Sequence, residues 1–459
     1  MAEEAATTAA PAAPAINGAD TAFMMICAAL VLLMTPGLGL FYGGMVRRKN
    51  VLATFQQSFI MLGVIGIQWV LIGYSLAFGP DSFHGLIGNF DYIGLKGVGL
   101  DPHPTIATTI PHQLFMVYQL MFAVITPALI SGAFAERMKF TAYLVFSLLW
   151  ATLVYDPVAH WVWGGGWIGA QLGALDFAGG LVVHVLSGVA ALCAVMVVGR
   201  RKGLGEEEMH PHNLMMTALG TGLLWFGWFG FNAGSAFSAG QSAVAAFVNT
   251  NTAAAAAAVS WSLIEYLHKK KVTVLGTCSG AVAGLVAITP AAGFVSPMGA
   301  LMIGLLVSFA CYGAILIKGK LGYDDSLDVF GVHGVGGAFG AIAVGIFATS
   351  AMTKLAGIAD APGGLIEGGG TAQVVKQLIS LVAAAGYSFV VSFILLKLVD
   401  MTIGLRVSPE EEELGLDLTQ HGERGYIMGV GELMGGHGTV GTAAYADVNV
   451  RNLSEPVRV

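Results

Sequence analysis

The chain of 459 residues is 56% hydrophobic and only 11% charged, with a mean hydropathy of +0.74, which excludes an ordinary water-soluble domain and points to a polytopic membrane protein. The formal net charge of -7 is modest and names no partner by itself; nucleic acid is not expected as one. The 64 glycines suit helices that approach closely in lipid, and the four cysteines (Cys27, Cys193, Cys278, Cys311) sit in apolar runs without a CxxC pair, so no disulfide framework, metal site or cofactor is expected.

The first stretch, "MAEEAATTAAPAAPAINGAD", has acids where a secretory signal would carry Lys or Arg, and no apolar run of its own. Residues 1–20 are therefore expected to be a short flexible lead outside the membrane. A helix needs about 20 apolar residues to cross about 30 Å of hydrocarbon. Such windows follow at Ala22–Phe41, Val51–Phe78, Pro111–Phe134, Phe140–Val154, Phe177–Val198, Leu214–Ala236, Ala243–Leu267, Val272–Ile288, Pro297–Ile317, Phe330–Phe347 and Ala372–Leu398. The expected fold is thus all-α, with eleven transmembrane helices in a domain spanning 21–399; the fourth and tenth windows are short. A polar region over 400–426 comes next, then a Gly-rich tail over 427–459 that is expected to be disordered.

Basic clusters at "RRKN" (Arg47), "ERMK" (Glu136), "GRRK" (Gly199), "HKKK" (His268) and "KGK" (Lys318) follow the first, third, fifth, seventh and ninth windows. The intervening loops hold almost none beyond Lys96, Lys354 and Lys376. Because Lys and Arg stay on the cytoplasmic side, the N-terminus is expected outside and the C-terminus inside. With five windows per half, segments six to ten would repeat one to five upside down, and the eleventh would stand apart. "VVHVLSGVAA" in segment five is weakly similar to "GVHGVGGAFGA" in segment ten.

Each of these stretches carries one histidine, His184 and His333. An ionisable group in a membrane helix costs roughly 2.5–3.5 kcal/mol when charged and usually faces a pore or a partner. A single such histidine is as well explained by packing, but two at matching places favour a facing pair that shares a proton. One count opposes this. His184 lies about 10 Å beyond Phe177 and His333 about 5 Å beyond Phe330, so from these starts they miss each other in depth.

Nine stretches in order then resemble the ammonium transporter, methylammonium permease and Rhesus glycoprotein family, most of all its bacterial ammonium-transporter branch. They are "FYGGMVRRKNV" (Phe41), "ISGAFAERMKF" (Ile130), "AHWVWGGG" (Ala159), "GALDFAGGLVVH" (Gly173), "GWFGFNAGSA" (Gly227), "AFVNT" (Ala246), "GTCSGAVAGLVAITPAAG" (Gly276), "DVFGVHGVGG" (Asp328) and "GLDLTQHGERGY" (Gly415). The resemblance implies a homotrimer in the cell (inner) membrane, embedded in lipid, with one pore per subunit. It implies that Trp163 and Ser235 bind ammonium in an outer vestibule, an indole face attracting the cation and a hydroxyl accepting from it. Tyr118 joins them at a position that is often Phe in the family, and Phe122 and Phe231 resemble the rings that close the pore. Asp176 matches an acidic residue near the start of segment five, where capping is favoured over direct cation binding; Asp328 is expected to cap segment ten in the same way. The region 400–426 resembles one that packs on the cytoplasmic face, where a PII-type regulatory protein binds bacterial relatives. Within it, Glu410–Glu413 is expected to be a solvated helix start.

Ammonium and potassium are similar in size, but only ammonium can lose a proton. Carrying an isolated charge through an apolar pore costs on the order of tens of kcal/mol in the Born limit, so the expected route is capture, deprotonation and passage of ammonia along His184 and His333. Methylammonium would serve as an analogue. Whether the proton returns or crosses separately stays open at this level. So do two rival readings, a Rhesus-like channel for ammonia or carbon dioxide and an ammonium sensor with little transport. An enzyme is not expected: no HExxH, GxSxG or paired membrane aspartates occur.

Overall fold

The computed structural model describes residues 15–103, 105–358 and 363–426; most of the expected flexible lead and the tail over 427–459 lie outside the described residues. Ten helices among the described residues are long and apolar enough to cross a membrane. In chain order they are α1 (Gly18–Met45), α2 (Arg48–Phe78), α3 (His112–Phe134), α4 (Phe140–Leu172), α5 (Gly180–Val198), α6 (Leu214–Ala236), α7 (Gln241–Lys269), α9 (Pro297–Leu321), α10 (Phe330–Phe347) and α11 (Ala372–Thr402). The shorter apolar α8 (Val274–Ile288) completes the eleven. Short polar side chains start several of them: the amide oxygen of Asn17 accepts from the N–H of Ala19 and Asp20, Thr273 caps α8, and Ser296 precedes a proline at the head of α9.

α1 begins at Gly18, inside the stretch 1–20 expected to be a flexible lead. The larger departure is α4, which runs on past Val154 to Leu172 with a break at residues 163–166. Asp156 and His160 interrupt the apolar run, yet both are buried because each has partners. Gln68 Nε2 donates to Asp156 Oδ2 at 2.7 Å, and the His160 ring nitrogens lie 3.0 Å from Ala77 O and 3.0 Å from Asp81 Oδ1.

Packing follows the internal repeat. α1 lies along α6, and α5 crosses α10, so the first and last helices of one half each meet their counterpart in the other. α11 packs outside α5, α10 and α4. The α5–α10 crossing is direct backbone contact, for a Cβ placed on Gly188 would overlap Gly334 and one on Gly337 would lie 2.8 Å from His184 Cβ. Small residues of this kind let membrane helices approach where lipid offers no hydrophobic drive between them.

On the Lys/Arg-rich face, Arg137 is wholly buried. It donates to the carbonyls of Ala133, Ala135, Gly199 and Asp324 and to Ser326 Oγ, so one guanidinium ties three loops together. The region after α11 forms two short helices, α12 (Pro409–Leu414) and α13 (Leu416–His421), folded back on this face. Asp417 Oδ1 accepts from Ala53 N at 2.9 Å. The expectation of a solvated Glu410–Glu413 needs one correction. Glu412 is buried, accepting from Lys202 N at 2.6 Å and Arg406 Nη2 at 2.7 Å, because helix periodicity turns it toward the basic loops.

Candidate functional site

A cavity of about 610 Å³ opens between α3, α4 and the end of α6, with Trp163, Ser235, Phe122, Phe115, Asp176 and Phe237 among its walls. Trp163 sits where α4 breaks, and its indole N–H donates to Asp176 O at 2.9 Å. That bond fixes the ring and leaves its face available. Ser235 Oγ donates to Phe231 O at 3.0 Å, so its lone pairs remain free to accept. Tyr118 is not part of this wall. Its ring is wholly buried: the hydroxyl donates to Phe231 O at 2.7 Å, with Gly230 O at 3.0 Å and Ser235 Oγ at 3.3 Å, and the ring packs against the wall residues Phe122 at 5.0 Å and Phe237 at 6.1 Å. Tyr118, expected to contact the cation directly, thus lies behind the cavity lining. Phe115 and Phe237, unnoticed in the sequence, line the cavity, 5.1 Å apart. Phe237 holds a left-handed backbone (φ 54°) that no local sequence pattern announces.

Below the cavity the aromatic rings close up. Phe122 and Phe231 are 4.2 Å apart between centroids, and Trp163 meets Phe122 edge-on at 6.0 Å. His184 continues the column, nearly parallel to Phe231 at 6.2 Å, Trp228 at 5.5 Å and His333 at 5.3 Å. The slot beside these rings has a free volume of about 10 Å³, the room of one water-sized molecule. Its other walls are apolar, among them Met34, Leu38, Ile125 and Leu224. Trp228 gives its N–H to Thr289 Oγ1 at 2.9 Å, which leaves the two histidines as the side chains with polar atoms to offer.

The two imidazoles do meet, Nδ1 to Nδ1 at 3.3 Å. The mismatch in depth disappears because α5 begins at Gly180 rather than Phe177. His184 is then the fifth residue of its helix and His333 the fourth, so each helix starts about one turn short of the pair. One Nδ1 must donate and the other accept, which makes the rings opposite tautomers: one Nε2 is an acceptor and the other a donor. His184 Nε2 is buried without a partner.

Helix starts inside a membrane need their N–H groups satisfied. Asp176 does this for α5, Oδ1 accepting from Gly179 and Gly180 at 2.8 and 2.7 Å and Oδ2 from Leu181 and Val182 at 2.7 and 3.4 Å. At α10 the cap is not Asp328. Asp325 accepts from Val329 and Phe330 at 3.0 and 2.7 Å, while Asp328 has a left-handed backbone (φ 61°) and its side chain pairs with Lys318. A signal for this was present in the sequence: Asp176 precedes His184 by the same interval as Asp325 precedes His333.

This arrangement agrees with what comparison finds. The sequence profile of the Ammonium Transporter Family matches residues 22–426. The ammonium transporter of Bacillus subtilis (strain 168) is 55% identical over 408 residues, covering 89% of this chain and 98% of its own length. Amt1 of Archaeoglobus fulgidus is 47% identical over 412 residues, covering 90% and 100%. Among solved structures, Saccharomyces cerevisiae Mep2 superposes with a TM-score of 0.82 at 38% identity, over 90% of this chain and 93% of Mep2. A sensor Amt protein does so at 0.79 and 30% identity, over 88% and 98%. Ten membrane-length helices and a shorter apolar one among the described residues, a profile match over most of the length and relatives covered almost end to end lead to one assignment: the chain belongs to the Ammonium Transporter Family.

Proposed function

We propose that this protein carries ammonium nitrogen across the cell membrane by binding ammonium in the wide cavity, removing its proton at the Phe122–Phe231 closure and passing ammonia along His184 and His333. The observation that carries this reading is the change of size and polarity across that closure, from about 610 Å³ with Trp163 and Ser235 in the wall to about 10 Å³ among apolar side chains. A cation is held in the first space by an indole face and a hydroxyl lone pair. In the second it would lose its hydration with no anion to replace it, a penalty of several kcal/mol at the least. Ammonia fits there, and the unequal Nε2 atoms of the histidine pair offer it one acceptor and one donor. The charge pattern supports the cavity facing outward and the Lys/Arg-rich face inward. The homotrimer in the inner membrane rests on the family resemblance, as does a PII-type partner, for which the folded-back α12 and α13 offer a surface.

Uptake of labelled methylammonium into proteoliposomes tests the reading: the wild type takes it up, and the Trp163→Leu/Ser235→Ala double variant needs about tenfold more substrate for the same rate. Methylammonium uptake that is absent from the wild type would favour the sensor reading, which the likeness to a sensor Amt protein raises. Uptake unchanged in the double variant would favour a Rhesus-like channel for the neutral gas.

A further inference from the structure

Away from the pore, α4 carries a carboxyl group that the conduction route does not use. Asp156 is wholly buried against α2 and stands two turns before Trp163 on the same helix face. Gln68 Nε2 donates to Asp156 Oδ2 at 2.7 Å and to Thr152 Oγ1 at 3.1 Å. This leaves Gln68 Oε1 and Asp156 Oδ1, two acceptors on groups already joined, both buried and both without a donor. No ion pair among the described residues includes Asp156. The titratable groups near it offer no counter-charge. Tyr155 precedes it with a buried hydroxyl that also lacks a partner, His160 one turn on is held by Ala77 O and Asp81, and from α11 Tyr387 donates to Leu153 O.

An ionised carboxylate in that position is an uncompensated charge inside the membrane, a costly state that is usually relieved by neutralisation. One proton on Oδ1 relieves it and also turns an orphan acceptor into a donor. The acceptor that this donor requires, Oε1, belongs to the amide already bonded to Oδ2. Acid and amide can then exchange two hydrogen bonds in a ring. The local backbone is π-wound, α2 at Trp69–Gly73 and α4 at Ala151–Tyr155, as are α4 again at Trp167–Leu172 and α5 and α10 at His184 and His333. Turns of this kind concentrate at functional sites.

We propose that Asp156 is a second proton-binding site within the membrane, separate from the histidine pair, whose neutral carboxyl pairs with Gln68 to hold the Trp163 end of α4 against α2. Asp156 is thus a positioning residue. Infrared spectroscopy of the full chain in lipid at neutral pH tests it, because a protonated carboxyl has its own C=O stretch. The wild type shows that band and Asp156→Asn lacks it. Asn also supplies an N–H where the acid has its O–H, so Asp156→Asn keeps the melting temperature within a few degrees and the methylammonium KM within about twofold, since both hydrogen bonds survive. Asp156→Leu strands Gln68 and raises KM about fivefold, the effect of losing roughly 1 kcal/mol of positioning. A wild type without the band, a band that persists in Asp156→Asn, or an Asn variant as impaired as the Leu one overturns the proposal; a carboxylate that stays ionised, hydrogen-bonded by bridging water or paired with ammonium, gives the first of these results. The KM comparison rests on Trp163 as part of the binding site, whereas the infrared band does not, so the two readings fail separately.

Discussion

Replacing Gly188 by Ala perturbs the histidine pair without touching either ring. The added Cβ would stand 3.0 Å from the carbonyl carbon of His333 and nearer still to N and Cα of Gly334, whereas carbon atoms rest at about 3.5–4.0 Å. Neither neighbour is the end of a flexible side chain, so α5 and α10 must part by roughly 1 Å. The Nδ1–Nδ1 separation of 3.3 Å then passes beyond hydrogen-bonding range, about 3.5 Å. Loss of that bond leaves two buried imidazoles unpaired at about 1–3 kcal/mol, and overpacking adds about 1–3 kcal/mol against stability. The assay pairs methylammonium uptake in proteoliposomes with a thermal melt in detergent. Gly188→Ala lowers uptake about tenfold or more while the protein remains folded, with a reduced melting temperature. Full uptake at an unchanged melting temperature refutes the claim that backbone contact sets the imidazole distance.

Three further outcomes are expected. Ser235→Ala alone raises the methylammonium KM several-fold with little change in maximal rate, because the hydroxyl acts on the captured cation; a fall in maximal rate at constant KM counts against that role. Asp176→Ala leaves the first N–H groups of α5 unsatisfied and lowers stability by about 2 kcal/mol or more, which a thermal melt reads; an unchanged melt contradicts the capping account. At the Lys/Arg-rich face burial works against the charge of Asp324, yet Arg201 and Arg137 hold its carboxyl below the ordinary range. A depressed carboxyl stabilises the fold above its unfolded value near 4 and loses that contribution as pH falls through the folded value. The melting temperature of the wild type therefore drops more steeply below about pH 4 than that of Asp324→Asn, and parallel curves refute it.

The membrane spans were legible because lipid demands long apolar runs, and the eleven windows fall on eleven helices. Their ends were less so. The fourth window stopped at Val154, before Asp156 and His160, whose partners Gln68 and Asp81 lie about 80 residues earlier in sequence. The cap of α10 was misplaced for a similar reason. Asp324, Asp325 and Asp328 crowd one loop, and proximity to Phe330 favoured the wrong one, though the matching Asp-to-His interval in both halves points to Asp325. A second mark of the repeat lies in "ITPA", present at Ile125–Ala128 in α3 and Ile288–Ala291 at the end of α8. Tyr118 was placed facing the guest because the family resemblance implies an aromatic face there; only the carbonyls of α6 show where its hydroxyl is drawn.

The central claim is that the charge of ammonium is removed before the narrow slot, so an ion that cannot lose a proton must be excluded. Rubidium, standing for potassium, measured beside methylammonium in the same proteoliposomes tests this most directly. The wild type is predicted to take up methylammonium and exclude rubidium, while His184→Asp, which places a fixed carboxylate in the slot, admits rubidium. Rubidium uptake by the wild type, or unaltered selectivity in His184→Asp, would contradict the account.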